Sequence, residues 1–301
     1  MKITYQEESK ERLDKYLLEH LAISRSQIKK VILSGQVTVN GEIPSVHHWL
    51  RKNDQIIYSK EATKKADTKL VNEPEIIEQN ENYLVLNKPH NLLAHPTDKG
   101  EKNTLVDWLL KKYPKIKKVG DDPLRPGIVH RLDREVSGLM VIPLTQKYFD
   151  LLKEQFQKRT IKKEYTALVH GKILNDKGEI NTSLERDKKT GLMKIQNIDD
   201  SGKIALTIYE VIKRYKNYTL LKVQIKTGRM HQIRAHFFSI GHSIVGDKLY
   251  KTKDLRKKKK TVDLRIFLHA HFLSFKDEEG KWQKYSLDLP KELTAFLNTA
   301  K

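Results

Sequence analysis

"NYTLLKVQIKTG", residues 217–228, places Leu221, Val223 and Ile225 on one side of an extended chain and Lys222, Gln224 and Lys226 on the other. Alternation with period two is the mark of a β-strand with one face buried and one face wet, and here the wet face is basic. "KKEYTALVHG" (162–171) and "GKIALTIYEV" (202–211) alternate in the same way, while "NYLVLNKP" (82–89) is a strand stopped at Pro89. "TQKYFDLLKEQFQKR" (145–159) changes the period: Thr145 is the expected N-cap, and Phe149, Leu152 and Phe156 share one helical side. Strands joined by hairpins, with helices inserted between them, predict an α+β fold rather than a doubly wound one.

Upstream, residues 10–58 read as a smaller unit. "ERLDKYLLEHL" (11–21) predicts a helix with Leu13, Leu17, Leu18 and Leu21 on one face. "SRSQIKKVILSG" (24–35) predicts a second helix, capped by Ser24 or Ser26 and stopped at Gly35. "QVTVNGEI" (36–43) is a short strand with an Asn40-Gly41 turn, a strong hairpin signal. Arg12, Leu13, Asp14, Leu17, Ser24-Arg25, Ile32, Gly35, Val37, Val39, Asn40-Gly41 and Asp54 together resemble the small RNA-binding domain named after ribosomal protein S-four. Arg25, Lys29 and Lys30 line one helix face and are its candidate RNA-binding side chains, with an ordinary solvated face as the alternative. "KEATKKADTKLVN" (60–72) has little apolar content and no period. The expected organisation is an S-four-like RNA-binding domain over 1–62, a linker over 63–72 and a larger domain over 73–301.

The 301 residues carry 58 Lys and Arg against 38 Asp and Glu, a formal charge of +20. Such a field favours a polyanionic partner, with nucleic acid ahead of an anionic membrane surface. Residues 1–62 hold 10 Lys and Arg against 8 Asp and Glu, so +18 of the charge lies beyond them. No apolar run approaches the roughly 20 residues needed to span a bilayer, and the first residues lack the apolar core of a signal peptide. Cysteine is absent, which excludes disulfides, thiolate nucleophiles and Cys-ligated zinc. A cytoplasmic protein with no membrane association is expected.

Three segments concentrate polar chemistry: "NKPHNLLAHP" (87–96), "HRLDREVSGL" (130–139) and "TGRMHQIRAHF" (227–237). With "RTIKKEYTALVHG" (159–171), "GKIALT" (202–207), "GHSIVGDKLY" (241–250) and "RIFLHAHFLSF" (265–275), they resemble in kind and order the RluA-type pseudouridine synthases, in particular the RluD-like subgroup. The resemblance covers roughly residues 75 to 290. It implies a catalytic domain built on a mixed, mainly antiparallel sheet with flanking helices. The implied activity is isomerisation of uridine in RNA to its C-glycoside, with no cofactor and no metal.

The resemblance also implies roles. Asp133 is the essential catalytic residue, Arg229 its cationic partner, and Tyr165 packs on the target base. Arg131 enters the RNA stack where the base has left, and His130 is placed with it on the RNA side, with a hydrogen-bonding role in shaping the loop. A carboxylate serves here as nucleophile or as base on the sugar, and the residues do not choose between them. The alternatives are structural: Asp133 and Arg229 as a buried ion pair without catalytic duty, and Tyr165 as a core residue. Asn91 stands where the family has Gly, and Val136 and Met230 where it has Thr. The dense basic run "KTKDLRKKKKT" (251–261) reads as a solvated loop that doubles as a phosphate clamp.

The twelve His residues include neither an HExxH pair nor a His-x-His set with supporting carboxylates, so no metal is expected. The expected partner is RNA, with large-subunit ribosomal RNA ahead of transfer RNA. A monomer without an obligate protein partner is expected. Two rivals stand beside the isomerase: a catalytically silent RNA-binding or ribosome-assembly protein, and a metal-dependent RNA hydrolase.

Overall fold

The computed structural model describes residues 2–21, 23–59, 73–97, 100–187, 189–197, 202–257 and 264–300. The expected linker lies outside the described residues, as does the end of the basic run from 258 on. The chain forms two compact units: Met1–Val71 with His95–Pro114 and Asp121–Pro126, and Asn72–Ala94 with Lys115–Gly120 and Gly127–Lys301.

In the first unit, β1 (Lys2–Thr4), β3 (Val37–Val39) and β5 (Gln55–Tyr58) form an antiparallel sheet in the order β1-β5-β3, and β2 (Glu11–Arg12) pairs with β4 (Trp49–Leu50). α1 (Leu13–His20) buries Leu13, Tyr16 and Leu17, but Leu18 is 37 % exposed. The stripe runs i, i+3, i+4, and Leu18 is rotated about 100° beyond Leu17, off the core side. α2 (Arg25–Leu33) is capped by Ser24, not Ser26: its Oγ accepts from the Gln27 amide, and Gln27 Oε1 accepts from the Ser24 amide. Asn40 (φ 52°) and Gly41 (φ 82°) both take the left-handed conformation that a tight hairpin turn needs. Asn40 also donates to Asp54 Oδ1 (2.8 Å) and accepts from the Gln55 amide (2.8 Å), which ties the turn to β5. A further helix, α3 (Leu105–Lys112), belongs to this unit.

The second unit is α+β. Its strands are β6 (Glu75–Gln79), β7 (Tyr83–Lys88), β8 (Ser137–Pro143), β9 (Lys162–His170), β10 (Lys177–Arg186), β11 (Met193–Gln196), β12 (Lys203–Arg214), β13 (Tyr218–Ile225), β14 (Leu268–Lys276) and β15 (Trp282–Ser286). They form one sheet in the order β11-β10-β12-β13-β9-β14-β8-β7-β6, with β15 also on β14. Among the described residues every pairing is antiparallel except β14 with β8, so the sheet is mixed and mainly antiparallel. The helices are α4 (Gln146–Gln157), α5 (Gln232–Ser239), the short α6 (Lys253–Lys257) and α7 (Lys291–Thr299). Thr145 caps α4 as expected, accepting from the Tyr148 amide. On β13 the alternation holds, with Leu221, Val223 and Ile225 buried. The opposite face is less basic than the sequence reads, because Lys222 and Lys177 both pair with Glu210 at 3.1 Å.

The parallel β8–β14 contact fixes the loop that precedes it. Gly138 has φ 127°, and a Cβ there would lie 2.3 Å from the Ala270 carbonyl oxygen. Only glycine lets β8 close against β14 at that point, immediately after the HRLD segment.

Candidate active site

Residues 131–133, Val136, Lys163, Tyr165, Ile225, 228–234 and Leu268 line a cleft of about 110 Å³, all within the second unit. β9 supplies Tyr165, the loop before β8 supplies Arg131 and Asp133, the turn from β13 into α5 supplies Arg229 and His231, and α5 itself supplies Arg234.

Asp133 is 16 % exposed at its side chain, and its Oδ2 stands 3.5 Å from Nη1 of Arg234. Its cationic neighbour is therefore Arg234, and the expected pairing with Arg229 is corrected. The reason is the geometry of the turn. Arg229 precedes α5, its Nε donates to the Ile204 carbonyl (3.2 Å), and its amide donates to Gln232 Oε1. Arg234 lies on α5 among the buried residues Ile233, Ala235 and Phe237, so the helix carries it inward. Its guanidinium is held as a fork: Nε donates to Asp247 Oδ2 (2.7 Å) and Nη2 to Asp247 Oδ1 (2.9 Å). Nη1 is turned toward Asp133 and Glu135. Burial opposes the charge on Arg234, but Asp247, Asp133 and Glu135 outweigh it and raise its pKa. Burial likewise opposes the charge on Asp247, and Arg234 with the Tyr250 and Leu249 amides lowers its pKa in spite of it.

Tyr165 is 5 % exposed. Burial first, then the Asp133 charge, raises its pKa, so the phenol stays neutral and presents a flat apolar wall. Arg131 lines the cleft with an exposed side chain. Its sequence neighbour His130, expected beside it on the RNA side, packs into the protein. The His130 ring stacks on Phe156 at 4.7 Å, and Nε2 accepts from the Val141 amide at 3.0 Å. Burial lowers its pKa to about 3, so it is a neutral strut of the loop. In the first unit, Lys29 is half-buried and Lys30 exposed on α2, while the side chain of Arg25 lies outside the described residues.

The loop is also tied from below. Lys88, fully buried at the end of β7, donates from Nζ to the carbonyls of Pro89 (2.9 Å), Leu92 (2.9 Å) and Arg134 (3.3 Å). Burial brings its pKa down to about 7. Asn91, beside it, has φ 63°, the left-handed conformation for which a family glycine is replaceable by Asn. His231, at the start of α5, is also left-handed (φ 51°) and lies 3.2 Å from the Tyr250 hydroxyl.

Arg234, Asp247 and Lys88 were not singled out by the sequence reading. A signal existed for the first two. An arginine one residue from Ile233 and three from Phe237, on an apolar helix, requires a buried acid, and "SIVGD" offers one in an apolar setting.

The arrangement is a carboxylate held beside a fixed guanidinium in a cleft that Tyr165 also lines. Residues 82–239 match the family described as RNA pseudouridylate synthase, and residues 11–56 match the S4 domain. An RNA pseudouridine synthase of Aquifex aeolicus is 38 % identical over 297 residues, covering 95 % of this chain and 92 % of its own. The ribosomal large subunit pseudouridine synthase D of Borreliella burgdorferi is 32 % identical, covering 95 % of this chain and 89 % of its own. The corresponding protein of Blochmanniella floridana is 36 % identical, covering 80 % and 75 %. Human RNA Pseudouridylate Synthase Domain Containing 4 shares the fold, with a TM-score of 0.58 at 23 % identity over 74 % of this chain and 92 % of that one. The chain belongs to the RNA pseudouridylate synthase family, isomerases that act on RNA. Within it, the relatives named pseudouridine synthase D and the S4 match together make this an RluA-type synthase with an N-terminal S4 domain. Among the described residues, no helix is long and apolar enough to cross a membrane.

Proposed function

We propose that this chain isomerises specific uridines of large-subunit ribosomal RNA, with Asp133 as the residue that acts on the ribose. The assignment of the site rests on Asp133 lining the cleft, 3.5 Å from a guanidinium that Asp247 holds in place. Arg234 supplies the positive charge beside the carboxylate without competing for substrate. Tyr165 is the face on which an extruded uracil stacks. Arg131, at the cleft edge, offers a planar group to occupy the gap left in the RNA stack. Nucleophilic attack on the sugar and removal of a sugar proton both need the same carboxylate in the same place. The apolar side chains of Val136, Ile225 and Leu268 exclude water from the detached base.

Three relatives bear the name of ribosomal large subunit pseudouridine synthase D, which favours ribosomal over transfer RNA. That substrate in turn supports a cytoplasmic place of action. Action as a monomer without an obligate protein partner is part of the same proposal. Residues 1–62 are assigned to RNA recognition and 73–301 to catalysis. Pseudouridine mapping of total RNA from cells with and without the gene tests the target. Loss of large-subunit sites is expected, and loss confined to transfer RNA overturns the choice.

A further inference from the structure

Lys163 precedes Tyr165 by two positions on β9, so both side chains leave the same face of the strand, and both line the cleft. Its Nζ stands 3.6 Å from where a Cβ on Gly228 would be, and 5.2 Å from the centre of the Phe156 ring. The ammonium lies beside the Gly228 backbone, and the Phe156 ring covers it.

No carboxylate among the described residues pairs with Lys163. Asp133, Glu135 and Asp247 are all engaged by Arg234. Glu164, next in sequence, projects to the opposite face and meets His271 at 3.9 Å. No hydrogen-bond acceptor is within reach of Nζ among the described residues either. A half-buried cation without an anion is an expensive arrangement, and burial lowers its pKa to about 8. The group still carries its proton over most of the neutral range. Its charge is uncompensated until a ligand enters.

Two anions arrive with RNA: the backbone phosphates and the uracil ring during its transfer. A phosphate is met from the open surface, where this chain has many exposed lysines. Lys163 instead stands inside the cleft, beside the ring on which the base stacks. We propose that Lys163 is a catalytic residue whose ammonium stabilises the negative charge of the uracil ring while that ring is detached from the ribose. The inference rests on the reading of this cleft as the uridine site.

The electron count requires such a charge. When the bond between the sugar and N1 breaks, its electron pair stays with uracil, and the charge spreads over N1, O2 and O4. The sugar is compensated at Asp133, by a bond to the carboxylate or by a proton given to it. The ring turns, and C5 supplies the electron pair for the new bond to the sugar, which either expels the bound carboxylate or is accompanied by return of the proton from Asp133 to the sugar. C5 then loses its proton and N1 gains one. Nothing is oxidised or reduced. The ammonium acts throughout as a fixed positive charge and keeps its proton, which makes it most effective in a site closed to water.

The test compares Lys163→Met and Lys163→Arg in the full-length protein, on transcribed large-subunit RNA containing uridine or 5-fluorouridine. Methionine keeps the apolar stem, and removing an unpaired charge from a half-buried place leaves the fold intact, as a thermal melt would verify. Lys163→Met is expected to lower kcat about a hundredfold, with RNA affinity and its salt dependence unchanged, and Lys163→Arg to restore part of the rate. Fluorine spreads the charge of the detached ring, so the defect of Lys163→Met should narrow when consumption of 5-fluorouridine is followed. Unchanged kcat in Lys163→Met overturns the proposal. So does a loss confined to affinity with a salt slope lower by about one, the signature of a phosphate contact, or a defect equal for both bases. If Asp133→Asn is fully active, the reading of the cleft fails instead, and that outcome is separate from all of these.

Discussion

Arg234 reaches Asp133 with one nitrogen, at 3.5 Å, while its other two are engaged by Asp247 at 2.7 and 2.9 Å. The guanidinium is thus oriented by one acid in order to serve another. Asp247 itself is oriented by the amides of Leu249 and Tyr250. The charge beside the catalytic loop is set by the turn after β13, the first turns of α5 and the segment that ends at Tyr250.

Asp247→Asn keeps the shape but weakens the fork. It is expected to lower kcat by about tenfold or more while leaving RNA affinity unchanged, because the geometry around Asp133 loosens and no phosphate contact is lost. It should also lower the unfolding midpoint, since a buried guanidinium loses its full partner. Steady-state kinetics with a parallel urea titration checks both, and an unchanged kcat would remove Asp247 from the account.

The two arginines of "TGRMHQIR" should separate cleanly. Arg234→Ala is expected to abolish activity and cost several kcal/mol of stability, leaving Asp247 buried without its cation. Arg229→Ala, whose side chain donates to a carbonyl near the surface, should fold normally and keep a measurable kcat. Comparing single-turnover rates of the two variants decides the order, and an inactive, well-folded Arg229→Ala would reverse it.

Much of this was legible in the sequence. The alternation of β9, β12 and β13, the cap at Thr145 and the Asn40-Gly41 turn are local signals, set by side-chain period and backbone sterics. The apolar neighbours of Arg234 mark it as buried, but they do not say that it, and not Arg229, meets Asp133. Arg229 and Arg234 are five residues apart, and which one turns inward depends on where the helix starts, a choice that the left-handed His231 makes. The Lys222–Glu210 pair was hidden for a related reason: the register of β12 on β13 is a tertiary fact. Leu18 misled because an apolar residue in a helix does not declare how wide the buried stripe is.

Burial holds three histidines neutral, with pKa values lowered to about 3 for His130 and about 4 for His236 and His269. Below pH ~6.5 the unfolded chain binds protons that the native state refuses, so stability falls as pH falls from there toward 4. Each such histidine contributes a slope of about 1.4 kcal/mol per pH unit in that window. Urea midpoints between pH 7 and 5 should show the decline, and His269→Asn should make it shallower, with His130 and His236 still contributing. A wild-type curve level across that range would contradict these burials.

Lys29 and Lys30 on α2 carry the proposed phosphate contacts of the S4 domain. Replacing both with Ala should weaken RNA binding and lower the slope of log affinity against log salt by roughly one to two, with kcat at saturating RNA unchanged. Fluorescence titration from low to moderate salt checks this. An unaltered slope means that the phosphates are met elsewhere.

Asp133 is the residue proposed to perform the chemistry. Asparagine has nearly the same size and still hydrogen-bonds, but it carries no charge and is a poor nucleophile or base. The most direct measurement is release of tritium from C5 of uracil in transcribed large-subunit RNA by wild type and Asp133→Asn, with folding and RNA affinity measured on the same preparations. Release by the wild type is expected, and none by a folded Asp133→Asn that still binds RNA. Full release by Asp133→Asn would contradict that proposal.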